Sequence, residues 1–177
     1  MSVEEYLEFE KTAEARHEFV DGRLLEMPGE SYQHNDIVGD IYIALKPIAR
    51  ARGCRIAFES IKTPTRGTRY RYPDIGVSCE PESDNHFLEK PCFIVEVTSD
   101  STTDSDHGPK LEEYTRLPSM QRYAIVSQGT RQVVVYKREG DRWGFEVLSG
   151  SGEIDIPCLE TKLSLDQIYA SLETEPR

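Results

Sequence analysis

An α/β fold, a mixed β-sheet flanked by helices, is predicted by three features of this 177-residue chain. Between Tyr32 and Arg52 the apolar residues Ile37, Ile41, Leu45 and Ile48 recur at spacings of four, four and three, the stripe of a helix that packs one face on a core. Three strand-like runs follow, over about 54–61, 70–79 and 91–98. A second helix starts around Pro109, carries Leu111, Tyr114 and Leu117, stops before Pro118, and gives way to a strand at Tyr123–Ser127. The core order is therefore α-β-β-β-α-β.

Upstream of this core, Ser2 caps a helix over about residues 3–10, and Asp21-Gly22 between Phe19-Val20 and Leu24-Leu25 marks a hairpin. In the long helix Pro47 predicts a kink and Gly53 a stop. Thr63-Pro64-Thr65-Arg66-Gly67 and Glu80-Pro81-Glu82-Ser83-Asp84-Asn85 read as turns between strands. Strand signals at Val133–Lys137 and Phe145–Leu148, joined at Gly140-Asp141, form a C-terminal β extension, and the tail after Leu172 is expected to fray. Residues 1–177 read as one domain, the usual outcome at this length.

Hydrophobic residues make up 37% of the chain and 16 are aromatic, enough to build a core and to exclude disorder throughout. No run approaches the ~20 apolar residues that span a bilayer, and Met1-Ser2-Val3-Glu4-Glu5-Tyr6 lacks the basic start and apolar stretch of a secretion signal. The expectation is a soluble, cytoplasmic protein with no membrane contact. Cys54, Cys79, Cys92 and Cys158 have no CxxC spacing and read as packed thiols rather than zinc ligands or disulfides.

The chemistry-bearing residues stand out by being misplaced. Nearly every position of Pro91-Cys92-Phe93-Ile94-Val95-Glu96-Val97-Thr98 is apolar on both faces, as in a central strand covered on two sides. A carboxylate there costs several kcal/mol unless it is neutralised, paired or bound to a cation. In Tyr72-Pro73-Asp74-Ile75-Gly76-Val77-Ser78-Cys79, Ile75, Val77 and Cys79 form the packed face and leave Asp74 opposite. If the two strands are neighbours, Asp74 and Glu96 converge at one end of the sheet, and oxygen ligands of this kind suit magnesium or manganese. The alternative is a turn cap at Asp74 and a buried Arg or Lys partner for Glu96.

Pro73-Asp74 followed by Glu96-Val97-Thr98 resembles the PD-(D/E)XK nuclease superfamily. More closely, the chain resembles the Uma-two family of restriction-type endonucleases. That similarity runs through Ser2-Val3-Glu4-Glu5-Tyr6, His17-Glu18-Phe19-Val20-Asp21-Gly22, His34-Asn35-Asp36-Ile37-Val38 and Tyr72-Pro73-Asp74. It continues through Ile94 to Ser99, Ser101-Thr102, Asp106 and Lys110-Leu111-Glu112-Glu113-Tyr114. The resemblance implies a restriction-endonuclease-like sheet and a metal-dependent endonuclease, with Mg²⁺ or Mn²⁺ held by Asp74, Glu96 and the backbone carbonyl of Val97. The superfamily pattern wants a lysine where Thr98 stands, and Lys110 looks like its migrated replacement, the alternative being a solvated helix lysine paired with Asp106 or Glu113. His34, Glu18 and Tyr114 match positions where a supporting role is implied. The chain departs from the family pattern at Ser99-Asp100-Ser101-Thr102, at Pro109 and at Tyr123-Ala124-Ile125-Val126-Ser127, which bears on the rim of the site rather than on its ligands.

The formal charge is −11, which argues against indiscriminate binding of polyanions. Residues 50–72, however, hold seven basic side chains against Glu59 alone, a net +6 that leads into Asp74. Arg66, Arg69 and Arg71, interleaved with Tyr70 and Tyr72, are the candidates for guiding DNA phosphates to the metal, unless they pair with the excess carboxylates instead. The reading is thus a nuclease acting on DNA, with a homodimer expected because cutting both strands favours two sites. The competing readings are an interaction module that keeps the fold without catalysis, and a metal-dependent hydrolase of another phosphorylated substrate.

Overall fold

The computed structural model describes residues 1–98 and 106–174. Helix α1 (Val3–Phe9) is nucleated by a capping box in which Ser2 Oγ accepts the Glu5 N–H and the Glu5 carboxylate accepts the Ser2 N–H. Its buried Tyr6 stacks on Phe19 with ring centroids 4.7 Å apart. Phe19 lies in β1 (His17–Val20), which turns back into β2 (Arg23–Glu26) through Asp21 and Gly22 at φ 49° and 89°.

Helix α2 (Tyr32–Ala51) runs through Pro47 and ends at Gly53, whose φ of 70° turns the chain away. Its Ile37, Val38, Ile41, Leu45 and Ala49 are buried, the stripe expected from their spacing. The chain then forms β3 (Arg55–Phe58), β4 (Thr63–Arg66), β5 (Arg69–Arg71), β6 (Ile75–Ser78) and β7 (Phe93–Thr98). Thr63–Arg66, expected as a turn, is therefore a strand. The single strand expected over 70–79 is two. Pro73 has no N–H to give a ladder, so the chain leaves one sheet after Arg71 and enters another at Ile75. Strands β2, β1, β5 and β4, in that order, make an antiparallel four-stranded sheet.

A π-helical turn (Asp106–Lys110) leads without a break into α3 (Leu111–Thr115), so Pro109 lies inside the turn rather than at a helix start. After it come β8 (Arg122–Ser127), β9 (Gln132–Glu139) and β10 (Arg142–Ser149). The main sheet has the order β10-β9-β8-β7-β6-β3, antiparallel except for the β7–β8 pair. A parallel neighbour demands a crossover, and that crossover contains α3. Strand β7 is buried along its whole length. Phe93, Val95 and Val97 join the core under α2, while Ile94 packs with Tyr114, Leu117, Met120 and Tyr123 on the other face. The C-terminal extension is a hairpin of β11 (Glu153–Ile156) and β12 (Thr161–Ser164) plus short helices α4 (Leu165–Ile168) and α5 (Ala170–Thr174). It completes the core beneath α2 with Ile154, Leu163, Leu165 and Ile168. Of the tail expected to fray after Leu172, residues 173 and 174 belong to α5 and residues 175–177 lie outside the described residues, as do the departures at Ser99–Thr102.

The cysteines correct a further expectation, that of packed thiols. Cys54 is bonded to Cys79 and Cys92 to Cys158, because the pairing Arg55↔Ser78, continued one step, sets Cys54 beside Cys79 across 25 residues of sequence. Among the described residues no helix is long and apolar enough to cross a membrane.

The turn after α3 is fixed by one side chain. Arg138 of β9 donates to the carbonyls of Thr115, Leu117 and Met120 at 2.7–3.0 Å and lies 4.8 Å over the Trp143 ring. Replacing it with leucine strips three carbonyls of a charged donor. Arg138→Leu is expected to lower unfolding free energy by about 1–3 kcal/mol, read as a drop in urea midpoint at constant m-value.

Candidate active site

The pairing Ile75↔Val95, carried one step further, sets Asp74 opposite Glu96 at the edge of the β6–β7 ladder. Both residues line one cleft of about 130 Å³, together with Glu18, Glu26, Glu30, His34, Val97 and Lys110. Asp74 is 8% exposed and Glu96 2%. Asp74 is held by two donors on one oxygen: the Val97 N–H reaches its Oδ2 at 2.6 Å and His34 Nε2 lies 3.2 Å from the same atom. His34 stands in the first turn of α2, where Ser31 Oγ accepts its N–H. Burial alone drives the imidazole's pKa down, but the hydrogen bond and charge of Asp74, with Glu30 and Glu59 behind it, leave it raised above the usual value. Its Nδ1 is buried without a hydrogen-bond partner, 3.9 Å from a Glu59 oxygen.

Glu96 is neutralised from the opposite side. Tyr114 donates its hydroxyl to Oε1 at 2.9 Å, and Lys110 Nζ lies 3.1 Å from Oε2 and 3.7 Å from Glu18 Oε1. Lys110 closes the π-helical turn and Tyr114 sits four residues on in α3, so one helical face delivers both groups to one carboxylate. Full burial, then the charge of Glu96, pushes the Tyr114 phenol well above its ordinary pKa and keeps it a donor. Thr98, in the place where the superfamily pattern has lysine, turns its buried hydroxyl to the Val126 carbonyl at 3.5 Å.

Two of the three arginines expected on the approach are paired with carboxylates of the protein, Arg71 buried and Arg69 half-buried. Alternation along β5 points Arg69 and Arg71 the same way, and both reach Glu113 of α3, which is 1% exposed. Arg71 donates to both Glu113 oxygens at 2.9 and 2.7 Å and to Glu18 at 2.7 Å; Arg69 donates to Glu113 at 2.8 Å and pairs with Asp21. Thr65 completes the set at 2.8 Å from Glu113 Oε2. The reason is energetic: a carboxylate this deep draws the nearest cations inward, and water loses the competition. Arg66 is exposed. An ion chain thus runs Glu113–Arg71–Glu18–Lys110–Glu96, and the first three of these were not recognised as a unit from sequence, where only the two-residue spacing of the arginines and the place of Glu113 beside Tyr114 hinted at it.

The donor set fits a hard divalent cation. Five carboxylates, those of Glu18, Glu26, Glu30, Asp74 and Glu96, line the cleft against Lys110 and His34, so a phosphate would meet net negative charge without a metal. Among the described residues no third carboxylate or imidazole joins Asp74 and Glu96 in a cluster with all ligand atoms within 4.8 Å of one another. One or two carboxylates with water and substrate oxygens is the usual holding of magnesium.

The buried bridge makes a pH prediction. Burial raises the Glu113 pKa, but the hydrogen bonds and charge of Arg71, with Thr65 and Arg69, outweigh it and leave the carboxyl below its ordinary value of 4.5. A depressed folded pKa contributes stability that is present above about 4.5 and lost as pH falls through the folded value. Glu113→Gln is expected to cost about 3–5 kcal/mol at neutral pH, and denaturation curves of the two proteins should converge in acid.

Residues 3–167 match the Uma2 family, described as "Putative restriction endonuclease". Two proteins of Synechocystis sp. (strain ATCC 27184 / PCC 6803 / Kazusa) are similar: slr1290 is 29% identical over 97% of this chain and 93% of its own, and sll1609 27% identical over 90% and 94%. A crystal structure from Anabaena variabilis ATCC 29413, described as a "putative nuclease belonging to DUF820", superposes with a TM-score of 0.77 at 19% identity, covering 97% of this chain and 99% of that one. At that identity the superposition speaks to the fold, an α/β architecture common to both chains. On the match over residues 3–167, this chain belongs to the Uma2 family, described as "Putative restriction endonuclease".

Proposed function

We propose that the protein is a nuclease that hydrolyses phosphodiester bonds in DNA with Mg²⁺ or Mn²⁺ held by Asp74, Glu96 and the carbonyl of Val97. The observation that carries this is the convergence of two buried carboxylates at paired strand ends in one cleft, with an ammonium 3.1 Å from one of them. A bound ion would polarise a phosphate oxygen and generate hydroxide from water near neutral pH.

The protein's own groups do the rest. His34 and the Val97 N–H fix the rotamer of Asp74, and Tyr114 fixes that of Glu96, so neither carboxylate needs to reorganise. Lys110 is the catalytic cation: its ammonium, held beside Glu96 and Glu18, lines the cleft where a scissile phosphate would gather charge. Glu18, anchored by Arg71, positions that ammonium. Arg66 offers an exposed contact for flanking phosphates, and a homodimer would present one cleft to each strand of a duplex.

Cleavage of single-stranded, duplex and branched DNA in Mg²⁺ or Mn²⁺, with EDTA controls, tests the proposal. Metal-dependent cleavage is expected for the wild type, none above background for Asp74→Asn or Glu96→Gln, and about 10²–10³-fold slower turnover for Lys110→Met. Cleavage that persists in EDTA or in Asp74→Asn would contradict it. Binding without cleavage by the wild type would favour an interaction module instead.

A further inference from the structure

Four cysteines spread over 105 positions of sequence, from 54 to 158, end at one place in the fold. Cys54 directly precedes β3, Cys79 directly follows β6, Cys92 directly precedes β7, and Cys158 lies in the 3₁₀ turn after β11. The Cys92 N–H donates to the Val77 carbonyl at 2.7 Å, which fixes it beside the end of β6. Beyond the bonded pairs, the sulfurs of Cys79 and Cys92 are 4.0 Å apart, and those of Cys79, Cys92 and Cys158 all lie within 4.8 Å of one another. Two independent staples have no need of sulfurs in contact across the pairs. A single ion does.

We propose that in the reduced protein these four cysteines bind one zinc ion as a tetrathiolate. Zinc–sulfur bonds of about 2.3 Å set the edge of a tetrahedron at about 3.8 Å, close to the spacing already present between Cys79 and Cys92. Each disulfide takes two electrons to give two thiols: a dithiol supplies them with its two protons and closes to its own disulfide, whereas a phosphine supplies the electrons and leaves as the phosphine oxide, water giving the oxygen and the two protons. Zinc then displaces four protons, leaving a site of charge −2. The surroundings suit that charge: in the groove that Cys54 borders, Lys46, Arg50 and Arg55 outnumber the one carboxylate, Glu82. Cys79 is exposed and Cys54 and Cys158 half-buried, so reductant and ion have access. The site would fasten β3, β6 and β7 to the C-terminal extension. It lies at the other end of β6 from Asp74, five residues or about 16 Å away, and does not rest on the nuclease reading.

The test is anaerobic titration of the phosphine-reduced full chain with cobalt(II), then zinc. The expected result is a thiolate-to-cobalt charge-transfer band with tetrahedral d–d bands, saturating at one ion per chain and bleached by one equivalent of zinc. The bands should persist in Asp74→Asn/Glu96→Gln, weaken in Cys79→Ser and Cys158→Ser, and be absent from the oxidised protein, whose sulfurs are not thiolates. Zinc should also raise the melting temperature of the reduced chain. The absence of the charge-transfer band in reduced wild type would overturn the proposal, as would unchanged binding by Cys158→Ser. A reduced chain that zinc fails to keep folded would overturn it equally.

Discussion

Glu96 sits in the middle of the main sheet with 2% of its surface exposed, on a strand buried along both faces. A lone carboxylate there would cost several kcal/mol, so its neighbours are chosen by that cost. The crossover from β7 to β8 has to pass over this face, and it does so with a π-helical turn whose last residue, Lys110, and the following Tyr114 bond the two oxygens of Glu96 separately. The crossover helix is short, five residues, and weak in isolation. What holds it is charge: Glu113, adjacent to Tyr114, is clamped by Arg71 and Arg69 from the four-stranded sheet, and Arg138 caps the turn that follows. Two buried acids, Glu96 and Glu113, thus explain the place of the helix, the turn of two arginines toward it and the contact between the two sheets.

The same logic accounts for the position of the second carboxylate. Pro73 breaks the backbone ladder between β5 and β6, and Asp74 stands in that break, where its oxygen takes the Val97 N–H. The break lets the four-stranded sheet diverge while Asp74 stays level with Glu96. Glu18 brings that sheet's contribution to the cleft. Two layers that differ in direction therefore share one polar seam, and the seam is the proposed active site. A polyanion entering it would meet five carboxylates against Lys110 and His34, so in the proposed reaction a divalent ion would serve binding as well as chemistry.

Much of this was legible from the residues alone, because the signals were local. The stripe of Ile37, Ile41 and Leu45, the Asp21-Gly22 hairpin and the anomalous Glu96 depend on neighbours a few positions away. The resemblance to restriction-type endonucleases pointed to Lys110, and the structure places its ammonium in the cleft. What could not be read were consequences of register. Whether Arg71 faces water or Glu113 depends on which strand lies under which helix, and the convergence of Cys54, Cys79, Cys92 and Cys158 depends on antiparallel pairing over dozens of residues. Spacing rules for zinc or disulfide motifs detect ligands close in sequence and are blind to ligands gathered by a sheet. The turn reading of Thr63–Arg66 failed for a related reason: Pro64 is tolerated because β4 is an edge strand, a fact of the sheet and not of the segment.

If Asp74 and Glu96 are kept together, at the expense of burying both, in order to hold a hard divalent cation, the protein alone should bind one. Manganese binding, followed by the loss of free Mn²⁺ signal in electron paramagnetic resonance, measures this without depending on any substrate. Saturable binding by the wild type, abolished in both Asp74→Asn and Glu96→Gln but retained in Lys110→Met, is the predicted result. Undiminished binding by the two carboxylate variants, or none by the wild type, would show that the pair serves only the ion-pair network and would contradict the account.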